Sequence, residues 1–188
     1  AARFTIKTIF SHQETGNHLT FQRDLQVGQF FHSNEIYWHE SQTNGVIRKL
    51  KTRENWDARW KQKMSSKTVN IDPSNLQFAA IDTELIAVLK GPELPKTITS
   101  SNPNFQQGGE TLAWRYLNSF LKDRYSNYSK HISKPALSRK SCSRLSPYLA
   151  YGNISMRMVF QQTVLRYETT TNKSSLANLI SRLHWHCH

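Results

Sequence analysis

Apolar and polar positions alternate differently in the two halves of the chain. In the first half, FTIKTIF (4–10) and IYWHE (36–40) are rich in β-branched and aromatic residues and predict two strands. A helix between them is predicted over 20–32, with Thr20 as its cap. Its expected buried positions are Phe21, Leu25 and Phe31. Strand, helix and strand form one α/β unit, which favours parallel pairing of the strands.

In the second half, apolar positions recur at helical spacing. The predicted helices cover residues 110–125, 147–151, 156–167 and a final segment from Ser175, with another at 54–64 in the first half. The helix at 110–125 places four apolar side chains on one face: Ala113, Leu117, Phe120 and Leu121. Ser155 is expected to cap the helix that follows it, and Gly152 to end the short helix before it in a left-handed conformation.

These patterns predict a fold class with two parts. An α/β part with a partial parallel, Rossmann-like sheet is expected over 1–66, an interdomain connection over 67–107, and an all-helical part over 108–188. Two strands and one helix cannot cover both faces of a parallel sheet. We therefore expect further strands before Ala1 and further helices after His188, so that the chain is a fragment, incomplete at both ends.

The net charge of the chain suggests a candidate binding partner. The sequence holds 25 Lys and Arg against 13 Asp and Glu, a net charge of +12. Such a surplus attracts polyanions, of which nucleic acid is the simplest, and solubility alone is the alternative. One candidate for following a phosphate backbone is a basic cluster with two tryptophans beyond it: Arg48, Lys49, Lys51, Arg53, Trp56 and Trp60. A solvated basic surface is the other interpretation of that cluster.

The two cysteines, Cys142 and Cys187, are too few for a disulfide framework and lack Cys-x-x-Cys spacing. A chain with so few cysteines, and none of them in a predicted disulfide framework, fits a reducing compartment. The sequence shows no signal-peptide pattern and no apolar run of membrane-spanning length. We expect a cytoplasmic, monomeric protein without membrane association.

The segment SCSRLSPYLAYGNIS (141–155) gathers small hydroxyls and one arginine ahead of a proline. The proline fits the first turn of a helix, so Ser143 and Ser146 are placed where free N–H groups and hydroxyls bind an anion such as a diphosphate. Arg144 adds a guanidinium that can bind two phosphate oxygens. Tyr128, upstream, is placed to contact the same ligand. The alternative is a capping cluster that binds nothing.

The final helix has two unlike sides. One is an apolar stripe of Leu176, Leu179, Ile180, Leu183 and Cys187, and the other is a polar side of Asn178, Ser181, Arg182 and Trp185. A tryptophan on a polar side suits a cavity wall, where it stacks on a planar ligand or base, and packing under a neighbouring lobe is the alternative. In HWHCH, His184 and His188 have a zinc-like spacing, but no Glu follows the first His. Structural histidines are favoured, and no metal site is expected.

Together these blocks resemble the photolyase/cryptochrome family over almost the whole chain. SHQETGNHLTFQRDLQVGQFF and GVIRKLKTRENWDARW are similar to the end of that family's N-terminal α/β domain. GGETLAWRYLNSFLKDRY resembles the opening helix of its flavin domain, and SCSRLSPYLAYGNIS resembles the block that wraps the FAD diphosphate. LISRLHWHCH resembles the helix beside the flavin and substrate cavity.

The resemblance implies roles for individual residues. On the FAD phosphate side it places Tyr128, Cys142, Ser143, Arg144, Leu145 and Ser146. Cys142 stands where the family often has threonine, and Trp185 matches the tryptophan that stacks on damaged pyrimidines. Two residues depart from the family pattern. Arg182 stands where repair enzymes usually have glutamate, and His186 stands where arginine usually meets the flavin.

The implied function is light-driven, FAD-dependent repair of pyrimidine dimers in DNA, the carbon–carbon lyase reaction of a deoxyribodipyrimidine photolyase. A reduced flavin excited by blue light passes an electron to a dimer flipped out of the duplex, which splits and returns the electron. The fragment alone is expected to be inactive and not to retain FAD, and the antenna chromophore stays unassigned. One alternative is a cryptochrome-type blue-light receptor without repair, which Arg182 favours. A second is a flavin-free, basic nucleic-acid-binding module.

Overall fold

The computed structural model describes residues 4–187. These residues are mostly helical and include a two-stranded sheet in the first part of the chain. β1 (Thr8–His12) and β2 (Tyr37–Ser41) are parallel, and α1 (His18–Ser33) connects them. The predicted strand–helix–strand unit and its parallel pairing are confirmed.

β1 begins later than the composition of FTIKTIF predicts. Thr8 faces Tyr37 across the ladder, and the neighbouring bond runs from the Tyr37 N–H to the Lys7 carbonyl over 2.9 Å. Residues 4–7 have strand-like composition but lie outside β1. The extent of the partner strand, rather than propensity, therefore sets where this strand begins.

α1 is capped by Asn17, so the prediction of Thr20 as its cap is wrong. The Asn17 side chain accepts a bond from the Thr20 N–H at 3.1 Å, and the helix begins earlier as a result. On the sheet side, Phe31 packs edge-on against Trp38 with ring centroids 5.4 Å apart. Leu25 was predicted to be buried but is 46% exposed, because a two-stranded sheet is too narrow to cover that side of the helix.

Helices make up most of the remaining structure. In chain order they are α2 (Trp56–Ser65), α3 (Thr83–Leu89), α4 (Lys96–Thr99), α5 (Glu110–Lys122), α6 (Tyr128–His131), α7 (Pro135–Ser141), α8 (Ser146–Ala150), α9 (Met156–Thr169) and α10 (Lys173–His186). Short 3-10 turns occur at Pro73–Asn75 and Arg124–Asn127. Each helix predicted above is present, with ends that differ by a few residues.

The core lies among α2, α5, α9 and α10. The α5 face is buried as predicted at Ala113, Leu117, Phe120 and Leu121. The α10 stripe is buried at Leu176, Leu179, Leu183 and Cys187, with Ile180 partly covered. Ser155 caps α9 by accepting a bond from the Arg157 N–H at 3.1 Å, and Gly152 has a φ of +68°. Both predictions about the ends of α8 and α9 are confirmed.

Residues 67–107 form an exposed connection that contains α3 and α4. No residue in this fully described segment is buried. Large apolar side chains are open to solvent, for example Phe78 at 82% and Val69 at 79%. The core is therefore built by the segments on either side of the connection.

Gly45 joins the α/β part to the helical part. Its N–H donates to the Cys187 sulfur at 3.3 Å, and that thiol in turn lies 3.3 Å from the Met156 sulfur. A Cβ at position 45 would lie 2.2 Å from Cδ1 of the Trp60 ring, closer than any side chain tolerates. The absence of a side chain at this position is therefore what lets the indole pack against the loop.

We expect Gly45→Ala to destabilise the protein by about 1–3 kcal/mol, because the added methyl group forces the Trp60 ring or the loop to move. Urea unfolding followed by tryptophan fluorescence measures the change in midpoint. Gly108→Ala is the matched control, since a Cβ there has only Asn153 Oδ1 nearby, at 3.9 Å. An unchanged midpoint in Gly45→Ala would contradict the described packing.

Candidate functional site

Tyr128 begins α6 at the edge of the core and is 5% exposed. Its ring packs edge-on against Phe120, with centroids 5.4 Å apart. Burial raises the pKa of the Tyr128 hydroxyl, the Cys142 thiol raises it further, and the charge of Arg182 lowers it. Charge effects of this kind fall off with distance. Three residues of the predicted site, distant in sequence, therefore lie near one another.

Two hydrogen bonds fix α6 against α10. The Ser129 N–H donates to Ser175 Oγ at 3.2 Å, and Asn178 Nδ2 donates to Ser129 Oγ at 2.7 Å. Ser175 is buried, so the first bond satisfies a polar group inside the structure. These contacts explain why Tyr128 lies near Arg182, one turn further along α10.

Arg124, which sequence reasoning missed, organises the segment after α7. Its guanidinium donates to the carbonyls of Tyr116 at 2.7 Å, Ser143 at 3.4 Å and Cys142. Burial lowers the pKa of Arg124, the Tyr116 hydroxyl raises it, and the charge of Arg144 lowers it. These acceptors are backbone atoms distant in sequence, so no local pattern marks this arginine.

Arg144 has a left-handed backbone with a φ of 60°, which is uncommon for a residue other than glycine. Gln106 fixes it from two sides. Arg144 Nε donates to Gln106 Oε1 at 3.2 Å, and Gln106 Nε2 donates to the Arg144 carbonyl at 3.1 Å. Within residues 4–187, no hydrogen bond or ion pair uses the terminal nitrogens of Arg144. They are the groups that can bind two phosphate oxygens together.

The neighbours of Arg144 have different environments. Leu145 is 2% exposed and anchors the segment in the core, Ser143 is partly buried, and Ser146 is exposed as the first residue of α8. The Tyr148 hydroxyl donates to the Gln107 carbonyl at 2.8 Å, which holds the end of the connection against α8. Two serine hydroxyls thus flank the arginine along an anchored loop.

Trp185 is 66% exposed on the polar side of α10. The Arg182 guanidinium lies 5.3 Å from the centre of its ring, which is a cation–π contact. The pair presents a flat aromatic surface and a positive charge to solvent. The prediction that Trp185 is no core residue is confirmed, and its role as a stacking surface stays a prediction.

His186 lies in the last turn of α10, one turn after Arg182. It lines a cleft of about 610 Å³ between the α/β and helical parts, together with His12, Lys63 and Arg157. Among the described residues that line this cleft, none comes from the predicted phosphate side at 128–146. The role of His186 beside a flavin stays a prediction.

His184 has a structural environment. Its Nε2 lies 2.9 Å from Asp57 Oδ1, and its ring stands edge-on to those of Trp56 and Trp60, with centroids 4.5 and 4.9 Å away. His188 lies outside the described residues. In the described range, no group of three His, Cys, Asp or Glu side chains is placed to hold a metal ion.

The two tryptophans beyond the basic cluster of the α/β part are core residues, so they offer no stacking surface to a nucleic acid strand. Trp56 and Trp60 are buried in the core, at 4% and 2% exposure. Arg48 is paired, with its Nη2 2.7 Å from Glu40 Oε2 and its Nη1 3.7 Å from Asp24 Oδ2. The interpretation as a solvated basic surface is favoured for this cluster.

No protein-family model matches the chain, and the curated proteins hold no match to it. None of the helices in residues 4–187 has both the length and the apolar character needed to cross a membrane. A functional assignment therefore depends on the arrangement of the side chains described above.

We expect alkylation of Cys142 to need unusually alkaline solution, because burial raises the pKa of its thiol and the thiolate is the reactive form. A bond from Ser138 and the charges of Arg124 and Arg144 lower that pKa in part. Arg144→Ala should therefore raise the pKa further and move the pH profile of alkylation upward.

Peptide mass spectrometry after iodoacetamide treatment at a series of pH values measures this profile for Cys142. Arg139→Ala is the control, since it removes an exposed arginine from the same region. If the pH profile of Cys142 alkylation in Arg144→Ala stays in place or moves to lower pH, the described proximity of Arg144 to Cys142 would be contradicted.

Proposed function

We propose that this chain forms the diphosphate side of an FAD site in a photolyase-like protein that repairs pyrimidine dimers in DNA with light. The observation that carries the proposal is the arrangement of Arg144, whose Nε is held by Gln106 while its terminal N–H groups stay available. The likeness of SCSRLSPYLAYGNIS to the block that wraps the FAD diphosphate supports the same assignment.

The donor groups around Arg144 fit a diphosphate. Ser143 and Ser146 supply hydroxyls, and the Tyr128 hydroxyl can donate as well, since a tyrosine keeps its proton at neutral pH and burial raises the pKa of this one further. The sequence from Arg124 to Tyr167 contains no Asp or Glu that would repel an anion. When bound, a reduced flavin supplies an electron after it absorbs blue light. The residues named here bind and orient its phosphates.

The exposed Trp185 is the proposed platform for the damaged bases. A dimer that leaves the duplex loses its stacking partners, and an exposed indole replaces one of them. Arg182, held over that ring, adds a positive charge that attracts phosphates and stabilises an electron-rich lesion. This assignment rests on the exposure of Trp185 and on its contact with Arg182.

A light receptor without repair is the second candidate, and Arg182 is the observation that favours it. A carboxylate is usual at this position in the repair enzymes that the chain resembles, and an arginine inverts the charge beside the proposed base platform. Repair of a dimer-bearing oligonucleotide under blue light separates the two functions. A protein that binds FAD and responds to light but leaves the dimer intact is a receptor.

We expect Arg144→Ala to weaken FAD binding about ten- to a hundredfold, because a charged hydrogen-bond donor to a partly covered phosphate is worth roughly 1.5–3 kcal/mol. Equilibrium dialysis at high FAD concentration detects weak binding by the chain, with riboflavin as the ligand that lacks phosphate. FAD should bind more tightly than riboflavin.

Arg115→Ala is the control for that experiment, since it removes an exposed arginine from α5. Equal affinity of the parent for FAD and riboflavin would refute the diphosphate site. An equal loss of FAD affinity in Arg144→Ala and Arg115→Ala would refute it too.

We expect Trp185→Ala to weaken binding to an oligonucleotide that carries a thymine dimer by about 1–3 kcal/mol per stacked base, with little effect on undamaged duplex. Fluorescence anisotropy measures both affinities. Phe78→Ala is the matched control, because Phe78 is an aromatic residue that is 82% exposed in the 67–107 connection. Equal affinity of Trp185→Ala and the parent for damaged DNA would remove Trp185 from the site.

A further inference from the structure

The exposed connection ends in two glutamines with unlike surroundings. The side chain of Gln106 is partly buried, and its amide exchanges hydrogen bonds of 3.1 and 3.2 Å with Arg144. Gln107 is exposed, and within residues 4–187 its side chain makes no hydrogen bond, although its backbone carbonyl accepts one from the Tyr148 hydroxyl. The two neighbours therefore differ in what their side chains do, and only Gln106 reaches the candidate site.

The Gln106 amide holds both the backbone and the side chain of Arg144. Its Nε2 donates to the Arg144 carbonyl, next to a backbone whose φ of 60° is uncommon for a residue with a Cβ and has to be held by its surroundings. Its Oε1 accepts from Arg144 Nε. A guanidinium is planar, so an acceptor on Nε helps to fix its plane and leaves Nη1 and Nη2 for two phosphate oxygens.

Holding an arginine before its ligand arrives favours binding. A long side chain that rotates freely loses that freedom when it contacts a phosphate, and the loss weakens the affinity. Arg144 has already lost part of its freedom to Gln106, and Leu145 beside it is anchored in the core at 2% exposure. The guanidinium is therefore pre-organised from a segment that lies 38 residues away in sequence.

We propose that Gln106 is a positioning residue of the anion site, which orients Arg144 for the diphosphate and makes the end of the connection part of that site. This inference rests on the proposed FAD site and adds a residue outside the segment from 128 to 146. A glutamine that only ties the connection to the helical part would have a different signature, because its loss would act on the site independently of Arg144.

The test replaces each glutamine by methionine, which keeps the length of the side chain and removes its amide. Gln106→Met removes both bonds to Arg144, and Gln107→Met makes the same change at the exposed neighbour as the matched control. Equilibrium dialysis with FAD and with riboflavin measures binding by the parent, both variants, Arg144→Ala and the double variant Gln106→Met with Arg144→Ala.

We expect Gln106→Met to weaken FAD binding about three- to tenfold, the loss typical of one hydrogen bond, and to leave riboflavin binding unchanged. In the Arg144→Ala background the same change should cause no further loss, because the residue that Gln106 positions is gone. A loss in Gln106→Met no greater than in Gln107→Met would overturn the proposal. So would losses that add up in the double variant.

A measurement without flavin separates this inference from the proposed function. The charge of Arg144 acts on the Cys142 thiol, so releasing the arginine should move the pH profile of Cys142 alkylation to higher pH in Gln106→Met but not in Gln107→Met. An unchanged profile in Gln106→Met would overturn the positioning role. If the parent binds FAD no better than riboflavin, the proposed diphosphate site fails, and this profile alone decides whether Gln106 holds Arg144.

A second variant covers the case in which methionine at 106 disturbs the fold, which far-UV circular dichroism reports. Gln106→Asn keeps the amide but shortens the side chain by one carbon, so it cannot make both bonds to Arg144 at once. It should show the same weaker FAD binding and the same shift in the Cys142 profile. A folded Gln106→Asn that behaves like the parent in both measurements would overturn the proposal.

Discussion

The packing of one indole ring, that of Trp60, holds the two parts of this chain together. The ring is 2% exposed and stands edge-on to Phe160 of α9 and His184 of α10, at 5.1 and 4.9 Å between centroids. Gly45 leaves the space that the ring occupies on the α/β side. Its Nε1 is buried without a hydrogen-bond partner in the described residues, which costs about 1–3 kcal/mol. The ring is therefore retained at this position for its volume and its contacts, not for its polar group.

The candidate site depends on that junction through α10. The C-terminal end of α10 is fixed at Cys187, which contacts Gly45 and Met156, and its apolar stripe is held in the core. A helix anchored in this way presents Arg182 and Trp185 from a fixed position. On the opposite side of the site, Arg124 donates to backbone carbonyls that belong to no helix or strand. Buried carbonyls need such donors, so the loop conformation before α8 depends on this arginine.

Two residues depart from the pattern of the family that the chain resembles, and the structure gives them different neighbours. Arg182 lies beside Tyr128 and over Trp185, so its charge acts within the proposed site. His186, one turn further along α10, lines a cleft together with His12, Lys63 and Arg157. The change at Arg182 therefore bears directly on the proposed site, whereas the described neighbours of His186 are those of the cleft. Arg182 is therefore the residue that distinguishes the two proposed functions, repair and light reception.

Local pattern in the sequence determined much of the fold. The buried face of α5, the apolar stripe of α10, the Ser155 cap and the left-handed Gly152 all follow from helical spacing and from short-range backbone chemistry. The pattern failed where a partner distant in sequence decides the outcome. β1 starts where β2 pairs with it, and Leu25 is exposed because the sheet is narrow.

The candidate site shows the same difference between local signals in the sequence and contacts between distant residues. The sequence alone marked Ser143, Arg144 and Trp185, because hydroxyls before a proline and a tryptophan on a polar helix side are local signals. Only the tertiary structure revealed the role of Arg124, the two hydrogen bonds between Gln106 and Arg144 and the cleft that His186 lines. Each of these is a contact between residues brought together by packing, and one-dimensional spacing carries no information about such contacts.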